Sequence, residues 1–160
     1  MPKVYLICGK LCSGKTTYAR KLCREKSAVL LSTDEITLAL FGQHCGERHD
    51  EYVEKTQNYL LQKSLELLNT GISVVLDWGF WQKDERDFVR AFYTSNGIDF
   101  EFHSIEISEA VWSQRLKVRN AMVEADPTVA YYVDENLARK FAYLFEPPQK
   151  QEIDILIKSE

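Results

Sequence analysis

Residues 9–16 read G-K-L-C-S-G-K-T, an unbroken instance of G-x-x-x-x-G-K-[ST]. Before it stands Val4-Tyr5-Leu6-Ile7-Cys8, an apolar run with the length and residue types of a buried strand. After it, Thr17 to Arg24 contains no Gly or Pro and reads as a helix. A strand, a glycine-rich turn and a helix are the setting in which successive backbone N–H groups close around a phosphate. Gly9 and Gly14 permit backbone angles that strain other residues, and the helix N-terminus adds its positive end. Lys15 has the reach for β- and γ-phosphates, and Thr16 carries a hydroxyl suited to Mg²⁺. Gly9, Lys10, Leu11, Cys12, Ser13, Gly14, Lys15, Thr16 and Thr17 are thus the expected nucleotide-binding loop.

The rest of the composition bounds the setting. A chain of 160 residues with 45% hydrophobic content suits one domain over residues 1–160. Twenty Lys and Arg against 24 Asp and Glu give a formal charge of -4, which argues against a broad nucleic-acid surface and leaves room for a small basic pocket. No stretch approaches a transmembrane length. Met1-Pro2-Lys3 runs straight into the first strand, so no signal peptide is expected. Cys8, Cys12, Cys23 and Cys45 form no C-x-x-C pair, and reduced thiols in a cytoplasmic protein are the expectation. Cys12 reads as a small loop residue. His44, Cys45 and His49 lack a fourth ligand and fit no common zinc spacing.

Strand-like and helix-like segments alternate. Strands are expected at Val4–Cys8, Ala28–Ser32, Ile72–Leu76, Phe100–Ile107 and Ile153–Ile157. Helices are expected at Lys15–Glu25, Asp34–Phe41, His49–Asn69, Lys83–Thr94, Ser108–Met122 and Val133–Leu144, with a turn at Gly42–Gly46. This order predicts an α/β three-layer sandwich with a five-stranded parallel sheet. Ligands of such sheets bind beyond the C-terminal strand ends. That directs attention to Gly9–Thr16, Ser32–Asp34 and Asp77–Trp81.

Asp34 follows the second strand in S-T-D-E-I and can face a γ-phosphate held on the neighbouring loop. Helix capping is the plainer use of Thr33 or Asp34 there. Asp77 closes the third apolar run in V-V-L-D-W-G-F-W, where a carboxylate can hold Mg²⁺ or its water shell. Trp78 and Trp81 stand at the same edge, either lining an acceptor pocket or packing the loop on helices. Trp112 reads as core, and Arg48 as a solvated charge.

Taken in order, G-K-L-C-S-G-K-T-T-Y-A, L-S-T-D-E-I, V-V-L-D-W-G-F-W, Q-R-L-K-V-R-N and F-E-P-P resemble the small P-loop kinases of the AAA-like predicted kinase family. Phage polynucleotide kinase, zeta-type toxins and chloramphenicol phosphotransferase are relatives of that group. The resemblance implies a P-loop NTPase fold with a small helical lid at about residues 112–130. It implies ATP and Mg²⁺ as cofactors, Asp34 as general base, and Lys15 as a phosphate contact. Thr16 and Asp77 would hold the metal. Arg115 and Arg119, spaced i and i+4, would be the lid arginines. The loop at Phe145-Glu146-Pro147-Pro148 would lie near the nucleotide base. The expected activity is transfer of the γ-phosphate of ATP to a hydroxyl of a small molecule, with Asp34, Trp78 and Trp81 toward the acceptor. A polynucleotide 5′-hydroxyl kinase is the second expectation and a non-catalytic nucleotide-binding regulator the third. Two departures disfavour a polynucleotide: D-E-I-T puts Thr37 where D-x-x-R relatives carry arginine, and A-M-V-E follows R-N where the lid tends to be richer in Arg. No N-K-x-D motif is present, which favours ATP over GTP.

Overall fold

The computed structural model describes residues 1–44 and 46–159. Five parallel strands form one sheet: β1 (Val4–Cys8), β2 (Val29–Ser32), β3 (Val74–Gly79), β4 (Phe100–Ile107) and β5 (Ile155–Ser159), in the order β2-β3-β1-β4-β5. Among the described residues the α-helices are α1 (Lys15–Lys26), α2 (Thr33–Phe41), α3 (His49–Asn69), α4 (Lys83–Ser95), α5 (Glu109–Ala125) and α6 (Glu135–Leu144). None of them is long and apolar enough to cross a membrane.

β1 is central, and all five of its residues are buried. Its pleat sorts them by face. Val4, Leu6 and Cys8 join Leu60, Leu61 and Leu68 of α3 and Val89 and Tyr93 of α4. Tyr5 and Ile7 join Ala19 and Leu22 of α1 on the opposite face. A strand covered on both sides must read as a continuous apolar run, which is why V-Y-L-I-C was recognisable. A third cluster joins Leu11 of the phosphate loop to Val133 and Ala138, with Trp112 and Phe141 packed against it.

Several expected boundaries shift. β3 runs to Gly79 rather than ending at Leu76, because Ser32 of β2 pairs with Asp77 and Cys8 of β1 with Gly79. Asp77 therefore lies inside the strand. β5 begins at Ile155, in register with His103–Ile107 of β4. α6 begins at Glu135, since the Asp134 side chain caps it by accepting from Leu137 N at 2.8 Å. The expected turn at Gly42–Gly46 includes Cys45, which lies outside the described residues.

The turn after β3 is held by a buried cation. Arg86 is 1% exposed. Its Nη1 donates to Phe80 O (3.1 Å) and Glu146 O (2.9 Å), and its Nε to Glu152 Oε1 (2.9 Å). Arg90 Nη1 donates to the same Glu152 oxygen at 2.8 Å. Burial alone would raise the Glu152 carboxyl, but the bonds from Arg86 and Arg90 outweigh it and hold it down to about 2. Glu146 N also donates to Trp81 O at 2.8 Å. The Phe145–Pro148 loop is thereby fastened to the turn after β3, and Phe145 packs on the core.

The folded carboxyl of Glu152 lies below its unfolded value of about 4.3. Its contribution to stability is therefore full above that value and lost as pH falls toward about 2. Urea unfolding at a series of acidic pH values should show this loss in the parent and much less of it in Glu152→Gln. At neutral pH the same substitution strands the Arg86 charge and should cost about 3–5 kcal/mol.

Candidate active site

The phosphate loop leaves β1 at Cys8 and re-enters regular structure at Lys15. Gly14 precedes α1 at φ 94°, in the left-handed region, and no side chain caps the helix. The first N–H groups of α1 are thus not occupied by a cap and suit an anion. Cys12 also takes a positive φ, 58°. Leu11 is buried under Val133 and Ala138, and the indole Nε1 of Trp112 donates to Leu11 O at 2.7 Å. Trp112 is therefore a half-buried strut on the loop rather than a core residue. Lys10 Nζ lies 4.9 Å from the Trp112 ring centroid and pairs with Glu109 Oε2 at 2.8 Å.

Lys15 Nζ donates to Lys10 O at 2.8 Å, folded back over its own loop. Burial lowers its proton affinity, while Asp77 and Asp34 act in the opposite direction. Thr16 Oγ1 donates to Asp77 Oδ2 at 2.6 Å, which brings together the two expected metal-holding residues. A hydroxyl and one carboxylate are the sparse hard-oxygen set that suits Mg²⁺ when phosphates and water complete its shell. The donors present fit that ion. Among the described residues no group of three His, Cys, Asp or Glu side chains is placed to hold a metal by itself. Of the residues weighed for zinc, Cys45 lies outside the described set.

A cleft of about 1870 Å³ opens over the loop. Asp34 lines it from the first turn of α2, whose N-cap is Ser32, accepting from Glu35 N at 3.3 Å. The capping work expected of Thr33 or Asp34 thus falls to Ser32. The Asp34 side chain is exposed to the cleft, whose walls crowd around it. That burial raises its carboxyl above the usual range, and Asp77 raises it further. Lys15, Arg119 and His49 oppose the rise.

The two arginines of α5 face different partners. Arg115 Nη1 donates to Ser13 O (3.3 Å) and to Ser159 Oγ at the end of β5 (2.7 Å). Arg119 Nε donates to Tyr131 O at 3.3 Å, and its Nη1 lies 3.9 Å from Cys12 Sγ. Trp78 and Trp81 both line the cleft, and both are also anchored: Trp78 Nε1 donates to Leu31 O (3.0 Å) and Trp81 Nε1 to Gly9 O (3.1 Å). Both thus line the cleft while held to neighbouring backbone. Arg48 pairs with Glu51 at 3.0 Å on the surface, as a solvated charge does.

Sequence reasoning missed Arg86, Glu152, Gln43 and Tyr131. The first two fix the turn that carries Phe80 and Trp81. The last two fasten the segment between α5 and α6: Gln43 Nε2 donates to Pro127 O (2.6 Å) and Ala130 O (2.5 Å), and Tyr131 Oη donates to Thr37 Oγ1 (2.9 Å). No local pattern marks such partners, which lie 84 to 94 positions apart.

A methyl group on Gly9 would sit 2.6 Å from Ser13 Oγ and 3.0 Å from Ile105 O. Gly9→Ala must therefore displace the loop from β4. We expect at least a tenfold loss of nucleotide affinity, about 1.4 kcal/mol, by fluorescent-nucleotide titration.

Comparison with known proteins places this geometry. The sequence profile of the AAA domain family matches residues 4–148. None of the curated proteins matches the chain significantly in sequence. A protein from Chloroflexus aurantiacus, provisionally classed as a kinase, is similar in structure with a TM-score of 0.73 at 18% identity, over 98% of this chain and 86% of that one. Kti12 of Chaetomium thermophilum, solved with ADP-AlF3, gives 0.70 at 15% identity over 97% and 87%. The APS kinase CysC of Mycobacterium tuberculosis, solved with AMPPNP and APS, gives 0.65 at 15% over 99% and 89%. With its five-stranded parallel sheet and intact phosphate loop, the chain belongs to this AAA domain family and has the small P-loop kinase fold.

Proposed function

We propose that this protein is an ATP-dependent phosphotransferase that moves the γ-phosphate of ATP to a hydroxyl of a small molecule. The observation that carries the reading is the position of Asp34: it lines the phosphate-loop cleft, close enough to Lys15, Asp77 and Arg119 for each to shift its proton affinity. A pure nucleotide switch needs no base at that point.

In this reading Gly9 to Thr17 cradle the triphosphate, and Lys15 turns from Lys10 O to the phosphates. Thr16 and Asp77 hold Mg²⁺, which when bound offsets charge on the phosphate oxygens. Asp34 orients the acceptor hydroxyl and takes its proton; a raised carboxyl makes its carboxylate the stronger base. Arg119, on the cleft side of α5, neutralises charge on the moving phosphoryl group. Arg115 supports the loop through Ser13 O and the end of β5. Residues 112–130 act as the lid that limits water at the reacting centre.

In this reading Asp50, Glu54 and Glu85, which line the cleft together with Lys140 of α6, face the acceptor. Such a wall repels phosphate-bearing acceptors and tolerates neutral or amine-bearing alcohols. Thr37, in place of the arginine of D-x-x-R relatives, is fully buried and hydrogen-bonded to Tyr131, which further disfavours a polynucleotide.

Asp34→Asn should keep ATP affinity and lower phosphoryl transfer by roughly 10²–10⁴-fold, read by calorimetry and a radiolabelled ATP assay. Parental turnover in that variant removes Asp34 from the chemistry. Lys15→Ala should weaken ATP binding by about 1.5–3 kcal/mol. In the same assay, compact alcohols, sugars, nucleosides or amino alcohols should outperform sugar phosphates and 5′-hydroxyl oligonucleotides. The reverse ranking favours a polynucleotide kinase. Failure of every acceptor with tight nucleotide binding favours a regulator.

A further inference from the structure

We propose that Tyr131 is a positioning residue that fixes Arg119 of α5 relative to the turn of α2 bearing Asp34, with Gln43 holding the segment in which Tyr131 lies. The role assigned to Arg119 rests on the phosphotransferase reading above; the mechanical link does not.

Tyr131 is engaged at both ends. Its carbonyl accepts from Arg119 Nε at 3.3 Å. Its hydroxyl donates to Thr37 Oγ1 at 2.9 Å. Thr37 Oγ1 in turn donates its own proton to the main chain one turn back, with Thr33 O at 3.0 Å and Asp34 O at 3.4 Å. A short chain of polar contacts thus runs from the Arg119 guanidinium to the backbone of Asp34. Thr37 is fully buried, so its hydroxyl has little water to turn to, and losing either partner is costly.

The segment holding Tyr131 is braced from two directions. Asn120 of α5 brackets Val133, donating from Nδ2 to Val133 O (2.6 Å) and accepting from Val133 N at Oδ1 (3.1 Å). Gln43, just beyond α2, donates to Pro127 O and Ala130 O and accepts from Tyr132 N at 3.1 Å. One brace belongs to the helix with the arginine, the other to the side of the cleft with the carboxylate. The Tyr131 ring also meets His49 edge-on at a centroid distance of 5.7 Å. Removing the Tyr131 hydroxyl alone keeps that ring contact, so Tyr131→Phe isolates the link.

Geometry of this kind matters to transfer. A misplacement of about 1 Å at a reacting centre can cost on the order of 10²-fold. Arg119 has many rotamers, and a fixed Nε acceptor removes much of that freedom before substrates arrive.

The test uses the full chain as Tyr131→Phe, Thr37→Val and the double variant. The Arg119 Nε–Hε resonance, assigned by its loss in Arg119→Lys, should be protected from solvent exchange in the parent. It should exchange at least about fivefold faster in Tyr131→Phe and Thr37→Val. The double variant should match the singles, since all three break one link. Urea unfolding measured alongside should remain one cooperative transition with the parent's m-value, separating this from general loosening. With any accepted hydroxyl compound, Tyr131→Phe should lower kcat about tenfold and leave the KM for ATP unchanged. Unchanged exchange in both single variants overturns the link. Faster exchange with unchanged kcat overturns the positioning role. A parent that phosphorylates no acceptor refutes the phosphotransferase reading, while the resonance still decides whether Tyr131 holds Arg119.

Discussion

A guanidinium that is 1% exposed must be matched oxygen by oxygen, and that requirement on Arg86 organises the turn after β3. Its partners come from three separated stretches: the turn after β3, the loop after α6, and Glu152 before β5. Meeting at one cation, they determine where Trp81 stands. Trp81 then donates to Gly9 O, so the same constraint reaches the first residue of the phosphate loop. Arg90 completes the arrangement by sharing Glu152 and lying 4.4 Å from the Phe102 ring centroid.

The phosphate loop is steadied from its other side by α5. Trp112 donates to Leu11 O, and Arg115 reaches Ser13 O and the tip of β5. A loop whose task is to point N–H groups inward cannot satisfy its own carbonyls well. Here side chains from two distant elements satisfy them. That division leaves the α1 N-terminus uncapped, which is the state an anion site requires.

What the sequence disclosed and what it hid divide along a physical line. Residues 9–16 were legible because glycine positions, the lysine and the threonine are bound to one local geometry. β1 was legible because burial on both faces demands an unbroken apolar run. Asp34 and Asp77 were legible as carboxylates at strand ends, although Asp77 proved to lie within β3, where pairing with Ser32 extends the strand. Arg86 was hidden because, in K-D-E-R-D, a buried arginine looks like any helix-surface charge. Thr37 stood out only by comparison with D-x-x-R, and its partner Tyr131 lies 94 positions away. Trp112 carries the composition of a core residue; only the fold shows its indole aimed at a loop carbonyl.

The electrostatics of the cleft explain why the placement of one arginine has consequence. Burial lowers the proton affinity of Lys15 and raises that of Asp34, so both are drawn toward neutrality, while their opposite charges oppose this. An anionic phosphate chain on the loop favours the charged lysine and raises the Asp34 carboxyl further. Lys15, once turned to phosphate, is shared with that anion. Arg119 then still acts on Asp34 from α5, as His49 does from α3. A guanidinium held by a carbonyl keeps its charge in place as the cleft fills, whereas a loose one turns to solvent. In the proposed phosphotransferase, the balance between a carboxylate basic enough to take a proton and one already protonated would be tied to a hydrogen-bonded path through Tyr131 and Thr37.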